Sequence, residues 1–207
     1  MRKAFTVIEI VIVVVIVGIL SVLAIQAMYR PDHLSLAQEE LILRLRYTQH
    51  LAVMVDKFDS NDTEWKTKRW RFHCDNGSLK CSVFAPSAAL GVKASVPNLK
   101  SDFAIDPQTR NYLTGGYGAV SETDERAMPE LALRNFREIE DISLSGCGTG
   151  ADLMIVFDEI GRPYAPDGAN PPKLLASPCV ITLTHQEDKE NAKVCIQPET
   201  GRVHNDC

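Results

Sequence analysis

The chain has 207 residues, with 22 Lys or Arg side chains against 27 Asp or Glu, which gives a formal net charge of −5. An acidic chain repels phosphate unless a local patch overrides the net charge, so the composition argues against a general nucleic-acid-binding protein. About 140 residues lie beyond the N-terminal segments described below, which is enough for one hydrophobic core.

A mostly apolar run covers residues 5–25 and contains one acidic residue, Glu9. At about 1.5 Å per residue, a helix of this length spans about 31 Å, the thickness of a hydrocarbon core. Arg2 and Lys3 precede the run, so the positive-inside rule places this end in the cytoplasm and the rest of the chain across the membrane. A cleaved secretory signal fits poorly, because the run is long and lacks a small-x-small cleavage site. An uncleaved signal anchor leaves Glu9 unexplained.

Glu9 needs a partner, because an acidic residue in the middle of a membrane helix raises the free energy of membrane insertion by roughly 2.5–3.5 kcal/mol. Residues 3–9 read Lys-Ala-Phe-Thr-Val-Ile-Glu before the apolar helix. This pattern resembles the class III signal of type IV prepilins and type II secretion pseudopilins. The resemblance implies cleavage between Ala4 and Phe5 by a prepilin peptidase, followed by N-methylation of Phe5. It also implies that Glu9 pairs with the new α-amine of Phe5 in a neighbouring subunit. Ala4 stands where the family mostly has Gly.

The residue patterns predict an α+β fold class: a long N-terminal membrane-spanning helix, which corresponds to the pilin stalk of the family it resembles, followed by a mostly antiparallel β C-terminal domain. The predicted boundaries follow the chain in order. They are a cytoplasmic leader at 1–4, the transmembrane half of the helix at 5–27, its amphipathic half at 28–57, a polar connector at 58–66 and a periplasmic β-rich domain at 67–207.

The second half of the helix is amphipathic. Apolar or small residues recur at intervals of three and four, which predicts one buried helix face: Leu34, Ala37, Leu41, Leu45, Thr48, Ala52 and Val55. Arg44 falls off this face, and its spacing from Glu40 predicts an i,i+4 ion pair. Pro31 either kinks the helix or separates it into two, and both alternatives stay open.

Short apolar runs beside turn residues predict antiparallel strands in the C-terminal domain. The predicted pairs are 70–74 with 79–84 around Asn76-Gly77, 152–157 with 162–165, 179–185 with 192–197, and a last turn at 198–201 into 202–204. Residues 86–130 are predicted to form long loops, and residues 131–136 a short helix or strand. Residues 192–203, 157–163 and 44–52 are similar to the GspH/FimT-type minor pseudopilins.

Six cysteines follow the apolar run, and none precedes it. The predicted orientation places them in an oxidising compartment, so disulfides are expected. Among 15 possible connectivities, the sequence favours three pairs: Cys74 with Cys81 at diagonal positions of a hairpin, Cys195 with Cys207 at the tail, and, by subtraction, Cys147 with Cys179. A zinc site formed by His73, Cys74 and Cys81 is the weaker alternative, since its spacing fits no standard pattern.

The sequence offers no catalytic or nucleotide-binding motif, and residues 115–118 lack the Lys-Ser/Thr of a phosphate loop. We therefore expect no enzyme activity, no cofactor and no bound metal. A calcium site using Asp158 and Asp167 is a minor alternative, because turn formation alone explains Asp158.

DNA binding has to be weighed separately, because some FimT-like pilins take up DNA through a Gly-Arg-x-Arg tail. Here the tail reads Gly-Arg-Val-His at 201–204, without the second arginine. The one basic patch lies at 66–71, where Trp70 could stack on a base. An exposed strand with charged edges is the simpler interpretation of that patch, so DNA is not an expected partner.

The predicted function is a minor pilin or pseudopilin, a structural subunit of a type II secretion pseudopilus or type IV pilus. Its expected partners are the prepilin peptidase, other pilins or pseudopilins and the inner-membrane assembly platform. The expected location is the inner membrane in a single pass, with a cytoplasmic N-terminus and a periplasmic C-terminal domain, and then the pilus or pseudopilus. The alternative is a pilin-anchored DNA-binding or adhesion module.

Overall fold

A computed structural model of the chain describes residues 6–28, 32–87, 96–148, 152–166 and 172–207, without the side chains of residues 22–28. The chain divides into two compact units, Met1–Asp32 and His33–Cys207. Ala4, Phe5, Pro31 and Asp167 lie outside the described residues. Cleavage and methylation, the course of the chain at Pro31 and any calcium ligand at Asp167 therefore stay predictions.

The described part of the first unit forms one helix, α1, with the bounds Val7–Met28. Its N-terminus is set by the carbonyl oxygen of Thr6, which accepts hydrogen bonds from the N–H groups of Glu9 at 3.1 Å and Ile10 at 3.4 Å. Val and Ile dominate the sequence of this helix. Within the described part of the chain, no helix has both the length and the apolar character needed to cross a membrane.

The second unit begins with α2, His33–Met54, whose predicted apolar face is buried from Leu34 to Ala52. Two residues differ from the prediction. Val55 follows the end of the helix and is 45% exposed. Arg44 is buried rather than off the face, because Glu40 and Asp106 bind its guanidinium at 2.6 and 3.4 Å.

Nine short strands form two sheets in the described part of the second unit, and every strand pair is antiparallel. The strands are β1 Arg71–Cys74, β2 Cys81–Phe84, β3 Ile139–Ser145, β4 Leu153–Phe157, β5 Pro163–Ala165, β6 Lys173–Leu174, β7 Cys179–His185, β8 Asn191–Ile196 and β9 Val203–His204. One sheet has the order β2-β1-β4-β5-β6 and the other the order β3-β7-β8-β9. The predicted α+β class with mostly antiparallel strands is confirmed.

Helix α2 packs on strands of both sheets, including β1 and β4 of the first and β7, β8 and β9 of the second. Its buried residues Leu41 and Leu45 share one hydrophobic core with Phe72, Ile155 and Ile181. The remaining helical segments are short: Trp65–Lys68, Lys100–Asp102 and Pro129–Leu131 are 3₁₀ turns, and α3 covers Leu133–Phe136. The segment predicted as helix or strand at 131–136 is thus helical.

The β1–β2 hairpin forms where predicted, but its turn differs from an Asn-Gly turn of two residues. Leu79 carries the left-handed conformation, with φ of 53°. The Asp75 carboxylate stabilises the loop by accepting hydrogen bonds from the N–H and the hydroxyl of Ser78, both at 2.6 Å. The longer loop places Cys74 directly opposite Cys81, so their predicted diagonal placement is wrong.

Three disulfides join the cysteines of the second unit, and they are the three pairs that the sequence favours. Cys74 binds Cys81 within one hairpin, Cys147 binds Cys179, and Cys195 binds Cys207. The second bridge ties the segment after β3 to the first residue of β7, and the third fixes the C-terminal tail to β8. None of the six thiols is free.

Candidate assembly surface

The surface of α1 is apolar on every side. From Val7 to Leu20, its large apolar side chains are 51–80% exposed. A soluble helix normally buries one apolar face and presents a polar one to water. A continuous apolar surface of this kind marks a site that binds another apolar surface or a membrane. The apolar side chains of α1 are therefore a candidate binding surface.

Glu9 lies in the first turn of α1 and is exposed. This position is favourable for a negative charge, because the N-terminus of a helix carries a partial positive charge. The helix contains no Lys, Arg or His. A full neutralising charge for Glu9 must therefore come from outside α1, as the predicted pairing with a neighbour's Phe5 amine requires.

Gly18 interrupts the β-branched and aliphatic side chains of α1. A Cβ atom added there would meet no atom within 4 Å. No contact that the structure describes therefore requires glycine at this position. A small residue on an otherwise bulky helix allows another helix to approach closely.

The basic patch at 66–71 does not expose the aromatic ring on which the nucleic-acid alternative depends. Trp70 is 9% exposed, and its indole N–H donates a hydrogen bond to the carbonyl oxygen of Val55 at 3.2 Å. A buried ring cannot stack on a base. The interpretation as an exposed strand is also wrong, because Trp65–Lys68 forms a 3₁₀ turn and Arg71, where β1 begins, is buried.

The cations of this patch are largely held by internal partners. Lys68 binds Asp62 at 2.7 Å, and Arg69 binds Glu159 at 2.8 Å. Arg71 is 2% exposed, and burial lowers its pKa to about 10. Local sequence patterns could not predict the second pair, because Glu159 lies 90 positions beyond Arg69 in the chain.

The C-terminal tail at 201–204 is also fixed within the domain. The carbonyl oxygen of Val203 accepts hydrogen bonds from Nε and Nη2 of Arg46, at 3.1 and 2.7 Å. The amide of Gln197 hydrogen-bonds Nε2 of His204 at 2.9 Å. Arg202 is exposed as a single cation in this segment.

Asp158 acts as a turn residue rather than a calcium ligand. Its carboxylate is fully buried and accepts hydrogen bonds from Nε and the backbone N–H of Arg162, both at 2.7 Å. The hydroxyl of Tyr164 lies 3.2 Å from the same carboxylate. Burial alone would raise the pKa of Asp158, but the hydrogen bonds from Arg162 and from the N–H of Ile160 hold it below the ordinary value.

The zinc set weighed from the sequence is wrong, because Cys74 and Cys81 form a disulfide. His73 is fully buried, and Oδ2 of Asp152 lies 3.5 Å from Nε2 of its imidazole. Burial lowers the pKa of His73, although Asp152 opposes the shift. Among the residues with described positions, no group of three His, Cys, Asp or Glu side chains could hold a metal ion.

Comparisons with known proteins give one similar structure. No family model and no curated protein matches the chain. The chain is similar to the minor pseudopilin EpsH from the type 2 secretion system of Vibrio cholerae, with 12% sequence identity and a TM-score of 0.41 over 84% of this chain and 95% of that chain. A likeness of this size carries no argument about function, so the proposal that follows rests on the residues of this chain.

Proposed function

We propose that this chain is a minor pilin or pseudopilin, a structural subunit of a type II secretion pseudopilus or a type IV pilus that performs no covalent chemistry itself. One observation carries the proposal. The helix α1 exposes apolar side chains all round and holds one carboxylate, Glu9, in its first turn. A simple tether needs the apolar surface but not the acid, which lowers the stability of insertion.

Processing supplies the missing charge in this proposal. A prepilin peptidase cuts between Ala4 and Phe5, and the released α-amine of Phe5 is then methylated. A singly methylated amine keeps its positive charge. In an apolar environment an isolated carboxylate and an isolated ammonium are each strongly disfavoured, whereas the pair largely cancels both penalties. The pair therefore sets the register between neighbouring subunits more than it adds to stability.

The proposed location follows from the same residues. Segment 5–27 holds the precursor in the inner membrane, with the basic leader in the cytoplasm and the second unit in the periplasm. The three disulfides support that placement, since such bonds form and persist in oxidising compartments. The assembly platform of the inner membrane and other pilins or pseudopilins are the partners that would draw α1 out of the bilayer.

The mature N-terminus provides the test. The protein is isolated from cells that carry its own prepilin peptidase, and its N-terminal peptide is measured by mass spectrometry. The proposal expects a chain that begins at methylated Phe5. The variant Ala4→Gly is the matched control, since it must give the same mature peptide. A protein that still begins at Met1, or that is cut near residue 27, contradicts the proposal.

A further inference from the structure

The imidazole of His73 is fully buried in the first sheet and lacks a hydrogen bond to any described residue. His73 lies in β1, opposite Ser82 of β2 and Met154 of β4. The distance of 3.5 Å between its Nε2 and Oδ2 of Asp152 exceeds the usual range for a hydrogen bond. A polar group in the core without a partner lowers the stability of the fold. The proposed role in a filament does not account for it.

The ring of Tyr117 covers this imidazole. The two ring centroids are 5.2 Å apart, the ring planes differ by 31°, and Tyr117 is partly exposed. Gly116 and Gly118 flank Tyr117 with φ of 90° and 76°, which are left-handed conformations that favour glycine. Displacement of this one aromatic side chain would therefore bring water to the buried ring of His73.

Residues 116–118, the Tyr117 segment, are anchored on both sides but not in the middle. The N–H of Gly115 donates to a carbonyl oxygen of β2 at 2.9 Å, and the N–H of Ala119 donates to that of Pro97 at 3.0 Å. Between these anchors, the N–H groups of residues 116 and 117 both donate to the hydroxyl of Thr114 at 3.2 Å. Within the described part of the chain, the Tyr117 segment thus makes no backbone hydrogen bond to a strand.

Ionisable groups face His73 from four parts of the fold. Burial lowers the pKa of His73, and the cation of Arg71 on the same strand acts in the same direction. The carboxylates of Asp152, which precedes β4, and of Asp75, in the β1–β2 loop, oppose the shift. The phenol of Tyr117 stays neutral, because burial raises its pKa. The closed segment therefore favours the neutral imidazole, since an imidazolium there lacks water to hydrate it.

We propose that His73 and Tyr117 form an acid-sensitive switch, in which a proton on the imidazole displaces the Tyr117 ring and opens the Tyr117 segment. The opening hydrates the imidazolium and breaks no strand pairing, so it requires less free energy than unfolding of the domain. Because the Asp152 side chain is 37% exposed, its carboxylate can pair with the hydrated imidazolium more closely than at 3.5 Å.

The direction of the pH effect follows from the two environments of the imidazole. In the open segment water reaches the ring, and its pKa is near the ordinary value of about 6.5. In the closed segment the pKa of His73 is lower. Opening is therefore nearly independent of pH above about pH 7.5, and it increases by at most about tenfold as the pH falls to 5.5. Carboxylates titrate below this window.

Hydrogen exchange measured by mass spectrometry tests the switch in the full chain, purified in detergent. Exchange of the peptide that covers the Tyr117 segment is followed from pH 7.5 to pH 5.5 and corrected for the intrinsic effect of pH on amide exchange. Opening should increase by about three- to tenfold, while the peptide that covers β7 stays protected. In NMR spectra of the same samples, His73, one of five histidines, should titrate with a pKa below about 6.5.

Two matched pairs of variants identify the groups responsible. His73→Gln cannot carry a charge and should remove the pH dependence of opening, whereas His50→Gln changes an exposed histidine of α2 and should keep it. Tyr117→Ala should leave the segment open at every pH and bring the pKa of His73 up to about 6.5. Tyr117→Phe keeps the covering ring and should behave as the parent chain does.

Five results would overturn the proposal. They are exchange of the Tyr117 segment that does not change between pH 7.5 and pH 5.5, an equal rise in the β7 peptide, a pKa of His73 at or above about 6.5 in the parent chain, a pH dependence that persists in His73→Gln, and equal exchange in Tyr117→Ala and Tyr117→Phe. The parent chain and the two Tyr117 variants decide the question even where His73→Gln does not fold.

Discussion

The two long helices of this chain have the same length but differ in how much of their apolar surface is buried. Both α1 and α2 contain 22 residues. The large apolar side chains of α1 from Val7 to Leu20 are more than half exposed, whereas α2 buries a face that runs from Leu34 to Ala52. The sequence of α2 is explained by its own domain. The apolar side chains of α1 are the feature on which the proposed assembly rests.

Polar contacts show the same difference. In α2, long polar side chains fix the helix to the sheets: Gln38 donates to the carbonyl oxygen of Lys193 at 2.7 Å, and Gln49 donates to that of Gly161 at 2.8 Å. In α1, the hydroxyl of Ser21 donates to the carbonyl oxygen of Val17 of the same helix at 2.7 Å. The contacts of α2 fix its position on the sheets, whereas the Ser21 bond lies within α1 itself.

The largest effect should come from matched truncations in the two helices. Leu45→Ala in α2 removes a fully buried side chain and should lower the free energy of unfolding of the domain by about 3–5 kcal/mol. Ile16→Ala in α1 removes a side chain that is 51% exposed and should change it by less than about 0.5 kcal/mol. Urea unfolding of the full chain in detergent, followed by tryptophan fluorescence, measures both. Equal losses of unfolding free energy in the two variants would contradict the difference between the helices.

The disulfides should stabilise the domain in the order of their loop lengths. Cys147 and Cys179 are separated by 32 positions, and Cys74 and Cys81 by 7. The loop-entropy relation gives about 3.7 kcal/mol for the first bridge and about 2.4 kcal/mol for the second. Replacing each pair by alanine and repeating the urea titration tests the order. A larger loss from the short hairpin bridge would show that strain or local contacts, rather than chain entropy, dominate.

Glycine-to-alanine substitutions should act differently in the two units. Gly201 has φ of 65°, and an added Cβ would collide with the carbonyl oxygen of Gly161 and with the Gln49 amide. Gly201→Ala should therefore destabilise the domain by about 1–3 kcal/mol. Gly18→Ala in α1 meets no atom within 4 Å and should leave domain stability unchanged. A loss of stability with Gly18→Ala would mean that α1 packs within its own chain.

The smallest expected effect is the pH dependence of the stability of the second unit, which involves Asp158. The folded-state pKa of Asp158 lies below its ordinary value: burial opposes the shift, and hydrogen bonds from Arg162 cause it. The stabilisation is therefore fully present above the unfolded-state pKa of about 3.9, and it is lost as the pH falls through the folded-state pKa. Urea titrations between about pH 6 and pH 3 should show falling stability.

A matched pair of variants tests whether Asp158 causes this dependence of stability on pH. Asp158→Asn should reduce the dependence of stability on pH, while the same change at the exposed Asp141 should leave it intact. An unchanged slope in Asp158→Asn would assign the acid sensitivity to other carboxylates. The pKa values of Asp75 and Asp106 are also lowered by hydrogen bonds, from Ser78 and Thr109, against the opposing effect of burial.

Local patterns predicted much of the domain. The hairpins β1–β2, β4–β5 and β7–β8 follow short apolar runs beside turn residues, and the buried face of α2 follows the three- and four-residue spacing of its apolar side chains. The strand β3 was missed, because it begins after a left-handed Glu138 and its pairing contains a bulge. The two-residue strand β6 carries no pattern long enough to detect.

Pairings between distant residues could not be predicted from such patterns. The guanidinium of the buried Arg44 binds not only its helix neighbour Glu40 but also Asp106, 62 positions later. The same holds for Arg69, which binds Glu159, 90 positions later, at 2.8 Å. The assembly hypothesis depends instead on the sequence from Ala4 to Glu9. The structure adds nothing on Ala4 and Phe5, because both lie outside the described residues.

The most direct test of the central claim is incorporation of Glu9 variants into the filament machinery. Co-purification with the assembled pseudopilus or pilus is measured for Glu9→Ala, with Glu9→Asp as the control that keeps the charge. The account predicts that Glu9→Ala inserts into the membrane and keeps the domain stability of the parent chain but is absent from the assembly, while Glu9→Asp is retained at least in part. Normal incorporation of Glu9→Ala would contradict the account.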